Sequence, residues 1–206
     1  MNHRMGALFQ TPWTRRIEEE ADRFQSLAEE SSILEVEAIG DPPSKFILTF
    51  KGRTLAFRGS EETVARTVEV PEQKVEITVG LEYPRQPPTM RWLTPIAHPN
   101  IWGQGTVCLP KYGMDWSPSV HLTDVAEVLW DMARFAIQNP KSAGTGGSNA
   151  VEFWGQVGDK FGYPTDPRPL RDLVLGTNEG SSMVRPTGDE DDIMIIDDDS
   201  EGCVFG

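Results

Sequence analysis

Residues 83–118 read YPRQPPTMRWLTPIAHPNIWGQGTVCLPKYGMDWSP, and the rest of the chain is organised around them. Pro84, the Pro87-Pro88 pair and His98-Pro99-Asn100 restrict the backbone upstream of Cys108, and Trp116-Ser117-Pro118 does the same downstream. Proline fixes its own φ and pushes the residue before it out of the helical region. From Ile96 to Pro118 no strand or helix period is sustained, and so long a loop inside a domain is usually functional. Taken alone, a free cysteine often packs as a small, inert hydrophobe. Here Gly103, Gly105 and the surrounding prolines predict Cys108 on irregular backbone rather than in an apolar face.

Working outward, β-rich runs at 34–39, 45–52, 65–70 and 74–81 lie upstream, separated by Gly40-Asp41-Pro42-Pro43 and by Pro71. Such short links favour an antiparallel meander. Thr89 to Leu93 adds a strand with Met90 and Trp92 on one face and Arg91 on the other, after which the sheet is expected to stop. Earlier still, Ile17, Ala21, Phe24, Leu27 and Ala28 fall at helical spacing between Pro12 and Ser31. The opposite face carries Arg15, Arg16 and Arg23 among acids, which suits either a solvated surface or a docking face for an acidic partner.

Downstream, His121 to Gln138 is apolar on most sides and predicts a largely buried helix. The glycine-rich SAGTGGS at 142–148 separates it from a shorter helix running from about Asn149 to Phe161, and YPTDPRP then closes the regular structure. The predicted class is α+β: an N-terminal helix, an antiparallel four-stranded meander, a long loop, a buried crossover helix and a shorter C-terminal helix, with the helices on one side of the sheet.

The chain has 206 residues and a net charge of −13. Eight of its acids, with no base among them, lie in 189–201, which leaves −5 for the rest. We expect a flexible lead over 1–11, one folded domain over 12–165, and a disordered acidic tail over 166–206. Without clustered Lys and Arg, nucleic acid is not an expected partner. No apolar run approaches the roughly 20 residues that span a bilayer, and the N-terminus lacks the apolar core of a secretory signal, so no membrane partner is expected. Only Cys108 and Cys203 occur, and a bridge between a loop and the chain end is not expected; reducing conditions and a cytoplasmic location follow. The terminal Cys203-Val204-Phe205-Gly206 has the outline of a prenylation box, but glycine is an unusual last residue for one.

The ordered series YPRQPP, HPNI, GTVCL and WSP resembles the core of ubiquitin-conjugating enzymes, the carriers of ubiquitin and ubiquitin-like proteins. The likeness runs from the first helix to about Phe161. It implies that Cys108 accepts the C-terminal carboxyl of such a protein from an activating enzyme as a thioester and passes it to an amine, usually a lysine of a protein substrate. That chemistry suits a thiol, nucleophilic even when only a few per cent is thiolate, and it needs no metal or organic cofactor.

By the same resemblance Asn100 either stabilises the oxyanion formed on amine attack or braces the cysteine loop. His98 is a supporting residue whose ring bonds backbone, and Ser142 takes the place from which relatives orient or desolvate the lysine, or simply caps a loop. Arg85 stands where many relatives carry a Phe. With Trp116 and Pro118 it marks the face that a RING-type or divergent ligase would grip, weakened by loss of the apolar anchor. Arg15 and Arg16 are candidates for facing the activating enzyme. In the tail, residues 191–200 place Ile193, Ile195 and Ile196 between acids, which resembles a SUMO-interacting motif that adds a strand to a ubiquitin-like sheet; an acidic tail with chance apolar residues is the other reading. The alternative for the whole chain is a non-catalytic module of the same fold that binds ubiquitin-like proteins.

Overall fold

Helix α1 spans Pro12–Glu29 in a computed structural model of the chain that describes residues 11–102, 105–107, 115–142 and 149–175. The Thr11 hydroxyl accepts the Thr14 N–H at 3.0 Å, and Pro12 sits in the first turn, where a missing N–H costs nothing. The buried residues of α1 are Ile17, Glu20, Phe24 and Leu27. The apolar stripe therefore has a carboxylate in its middle.

Six antiparallel strands follow: β1 Leu34–Gly40, β2 Pro43–Phe57, β3 Thr67–Thr78, β4 Thr89–Trp92, β5 Ile101–Trp102 and β6 Thr106–Val107. They lie in the order β1-β2-β3-β4-β6-β5. The α+β class stands, with two corrections to the sheet. Pro71 does not divide two strands but lies inside β3. Lys51 pairs with Glu72 and Thr54 with Val70, so Gly52 and Arg53 bulge out of β2 opposite the proline, and no ladder bond is asked of a residue with no N–H. Nor does the sheet stop at Leu93: β5 and β6 form a hairpin that returns to β4 through Arg91 and Thr106.

Helix α2, Leu122–Ala133, lies against the sheet with Leu122, Val125, Ala126, Leu129, Trp130, Met132 and Ala133 buried. Phe50 joins the layers, its ring 5.7 Å from Trp130 and 6.5 Å from Trp92; full burial of a side chain of this size contributes about 1.5–3 kcal/mol. The helix is shorter than its apolar pattern, which runs on to Gln138. Phe135 has φ +62, uncommon for a bulky residue, and the Ala136 N–H turns back to the Asp131 carbonyl at 2.8 Å. A smaller core of Leu55, Ala97, Phe135, Trp154 and Val157 seats α3, Ala150–Phe161.

Residues 166–175, read from the sequence as the start of the tail, pack on the domain. Asp166 is buried and accepts the N–H groups of Arg53 (3.1 Å) and Arg168 (3.0 Å), and Asp172, which opens the short α4 (Asp172–Leu175), accepts the Ser32 N–H at 2.8 Å. No helix among the described residues is long and apolar enough to cross a membrane.

Candidate functional site

The β5–β6 hairpin leads directly to Cys108. Its tight return requires Gly105: φ is +87, and a Cβ there would stand 2.4 Å from the Trp92 carbonyl oxygen, a conformation and an approach that only glycine permits. Gly105 in turn accepts the Trp92 N–H at 2.8 Å. Val107, the last described residue before the cysteine, is 8% exposed and belongs to the main core. The chain is hydrogen-bonded strand as far as Val107. Cys108 itself lies outside the described residues.

His98-Pro99-Asn100 precedes the hairpin and is buried throughout. The His98 ring accepts the Asn100 N–H at Nδ1 (3.1 Å), which leaves the proton on Nε2 for the Ile137 carbonyl at 3.3 Å. Burial lowers the His98 pKa to about 3, against the partial compensation of that backbone bond, so the ring is neutral at physiological pH. The Asn100 amide is engaged at both ends: Nδ2 donates to the Asn139 carbonyl at 2.9 Å and Oδ1 accepts the Asn139 N–H at 2.8 Å. This two-way bond ties the segment before the cysteine to the segment after α2. The early stop of α2 makes it possible, because continued helix would carry Asn139 away from Asn100. Asn139 also accepts the Lys141 N–H at 3.1 Å, at the turn Pro140–Ser142; the Ser142 side chain lies outside the described part.

The third component is a buried polar centre that the pattern reading did not find. Glu20, 0% exposed, accepts from Arg16 Nε (2.7 Å), the Tyr83 hydroxyl (2.7 Å) and the Leu122 N–H (2.9 Å), and meets His121 Nδ1 at 3.1 Å. Arg16 also donates to the Val120 carbonyl at 2.7 Å and lies 5.7 Å from the Tyr83 ring centre. Burial, then the neighbouring Glu20 carboxylate, pushes the Tyr83 phenol well above its ordinary pKa. One carboxylate thereby joins α1, the Tyr83-Pro84 turn and the N-terminus of α2. The signal was present in the sequence: Glu20 falls between Ile17 and Phe24 on the apolar stripe itself.

Of the two candidates for facing the activating enzyme, Arg16 is held by Glu20 and keeps 17% side-chain exposure, whereas Arg15 is exposed. On the neighbouring surface Trp116 donates to the Pro84 carbonyl at 2.8 Å and packs 5.8 Å from the Tyr83 ring. Pro118 is exposed, and so is Arg85, which pairs with Glu82 at 3.5 Å. Ile193, Ile195 and Ile196 lie outside the described residues, and among those described no cluster of three or more His, Cys, Asp or Glu is placed to hold a metal ion.

The described site is a six-stranded antiparallel sheet backed by helices, with a buried His-Pro-Asn segment beside the β5–β6 hairpin. Residues 70–151 match the family model described as ubiquitin-conjugating enzyme. It is 37% identical over 67 residues to ubiquitin-conjugating enzyme E2 13 of Schizosaccharomyces pombe, covering 29% of this chain and 45% of that protein. It is 26% identical over 125 residues to ubiquitin-conjugating enzyme E2 1 of Caenorhabditis elegans, covering 59% of each. The solved structure of human ubiquitin-conjugating enzyme E2 G1 is similar over 58% of this chain and 95% of its own, at 20% identity and a TM-score of 0.44. The chain thus spans about half the length of these two curated relatives.

Proposed function

We propose that this chain is a ubiquitin-conjugating-type acyltransferase that works through a thioester on Cys108. The observation that carries the reading is the reciprocal bond between the Asn100 amide and the Asn139 backbone, which holds both flanks of the site in one register. The Cys108 sulfur attacks the thioester that an activating enzyme has made with ubiquitin or a ubiquitin-like protein, and the activating enzyme's thiol leaves. An amine, usually of a lysine, then attacks the new thioester; a C–N bond forms, the C–S bond breaks, and the amine's surplus proton goes to solvent.

In this scheme Asn100 braces the loop, because both ends of its amide are committed to Asn139. His98 supports the same loop; a ring with a pKa of about 3 is a poor proton acceptor for an amine. Ser142 positions or desolvates the incoming lysine. Arg15 faces the activating enzyme, and Arg85, Trp116 and Pro118 face a ligase of RING or divergent type. The tail segment around Ile193, Ile195 and Ile196 recruits the ubiquitin-like protein or a substrate already carrying it. The setting is cytoplasmic.

The purified chain, incubated with an activating enzyme, ATP and matched ubiquitin-like proteins, is expected to give an adduct that reducing agent removes and Cys108→Ala abolishes. A chain that binds the ubiquitin-like protein without ever forming such an adduct would instead be a non-catalytic module of the fold.

A further inference from the structure

At the end of the sheet opposite the β5–β6 hairpin, β1 pairs with β2 on one side and with no described strand on the other. The Lys51 N–H donates to the Ile33 carbonyl at 2.7 Å, and bonded and unbonded pairs alternate along an antiparallel ladder. Glu35 and Glu37 therefore turn their backbone groups to Thr49 and Ile47, whereas the N–H and C=O of Val36 and Ala38 point away from the sheet. An edge of this kind is a template for a further strand.

A groove of about 370 Å³ lies beside this edge, between α1 and β1. Its accessible walls are small and apolar: Ala21, Ala28 and Val36 are half-buried and Ala38 is exposed. Beneath them the buried rings of Phe24 and Phe46 pack 5.0 Å apart and fix the floor. The rim is acidic. Asp22 lines the groove, and Glu29 lies about two turns further along the same helix face. On β1 the side chains of Glu35 and Glu37 alternate with those of Val36 and Ala38, and so stand on the opposite, solvent face. Asp22, Glu29 and Glu37 are exposed and in no ion pair among the described residues, while Glu35 pairs with Lys51. The neighbouring bases Arg23 and Lys45 are held by Glu19 and Glu76.

In a strand added to β1, alternate side chains enter the groove, and the others stand about 4.5–5.5 Å from Glu35 and Glu37. The first set must be apolar, and the second is stabilised when basic. A second copy of β1 would set glutamate against glutamate, and the chain's own residues 189–201 would bring eight more acids to an acidic rim. We propose that the open edge of β1 takes up an extended segment of a partner protein, in which apolar residues alternate with Lys or Arg, as a further strand. The partner is held at the far end of the sheet from the β5–β6 hairpin, and the site does not depend on thioester chemistry.

The test is a titration of the full ¹⁵N-labelled chain with the peptide acetyl-Ser-Lys-Val-Lys-Val-Lys-Ser-amide. Saturable shifts are expected at Val36 and Ala38. At about nine-tenths occupancy their amide exchange should slow about tenfold, while that of Glu35 and Glu37, already bonded to β2, stays as it was. Glu37→Lys should weaken binding about three- to tenfold, and the peptide with Glu in place of Lys should not saturate. Ala38→Pro removes an outward N–H that the β2 ladder does not use and should abolish the protection; if it disturbs folding, Glu37→Lys and the acidic peptide still decide. No saturable shift overturns the proposal, as does equal binding of the acidic peptide or a shift without protection at Val36 and Ala38. Protection already present without peptide overturns it too: it assigns the edge to a second copy if it grows with protein concentration, and to the chain's own tail if it does not. Glu37→Lys should leave the loading of Cys108 unchanged, and Cys108→Ala should leave peptide binding unchanged. Peptide binding by a chain that never loads would therefore overturn the transfer reading and keep the site; loading without peptide binding would do the reverse.

Discussion

Replacing Glu20 with Ala should be the most damaging single change in the domain outside its apolar core. The wild-type carboxylate has no exposed surface and satisfies four groups at once: the Arg16 guanidinium, the Tyr83 hydroxyl, the Leu122 N–H and the His121 ring. Removing one partner of a buried ion pair costs about 3–5 kcal/mol, because the other charge is left without compensation. Arg16 retains 17% side-chain exposure and its bond to Val120, which places the expected loss at the low end, about 3 kcal/mol. For a domain of this size that is a fall in Tm of roughly 6–12 °C. Urea unfolding followed by tryptophan fluorescence should show the loss as a lower midpoint with an unchanged slope. Glu20→Gln keeps the shape and an acceptor and should lose roughly 1.5–3 kcal/mol. Combining Glu20→Leu with Arg16→Met removes both charges and should recover part of the deficit relative to Glu20→Leu alone. A loss under about 1 kcal/mol for Glu20→Ala, or strict additivity in the double variant, would refute the hub.

Asn100→Ala should cost about 2 kcal/mol in the same assay by leaving the Asn139 N–H and carbonyl unpaired, and a variant of undiminished stability would remove the bracing role. The His98 pKa is about 3 in the fold against an ordinary 6.5, so below about pH 6.5 the unfolded chain binds the extra proton and the folded one does not; stability should fall as pH drops from 6.5 toward 3, by about 1.4 kcal/mol per pH unit from this group. His98→Gln should flatten that slope in urea titrations across the same range, and an unchanged slope would assign the dependence elsewhere. Gly105→Ala, with its positive φ and a methyl 2.4 Å from the Trp92 oxygen, should destabilise by at least about 2 kcal/mol in thermal unfolding, and a neutral effect would mean that the hairpin turn is not held as described.

The first helix was legible because it has one solvated and one packed face, which imposes a period, and α2 because it is apolar on most sides. What escaped were features set by a partner distant in sequence. Pro71 looks like a divider because proline usually is one; only the bulge at Gly52 and Arg53 in the neighbouring strand makes room for it. The two-residue strands β5 and β6 are too short to show alternation, and their pairing depends on Gly105 meeting Trp92 across the sheet. The apolar pattern of α2 continues to Ile137, yet the helix ends at Ala133 because Phe135 is drawn into the aromatic cluster of His98, Trp154 and Tyr163. Of the candidate site, Asn100 and His98 could be named from their motif, but the clamp on Asn139 could not, since 39 residues separate the two. The Glu20 hub was not legible either: an (i, i+4) pair with Arg16 has no mark of burial in the sequence, which comes only from Tyr83 and His121 closing over it.

The most direct test of the account is to load the Cys108→Ser chain with an activating enzyme, ATP and a matched ubiquitin-like protein, beside the unaltered chain. The unaltered chain should form an adduct that reducing agent cleaves, and the serine chain one that survives reducing agent and is split by mild alkali, because an oxygen ester has replaced the thioester. An adduct from the serine chain that reducing agent still cleaves, or one unaffected by alkali, would place the linkage on another residue and contradict the assignment of Cys108 as carrier.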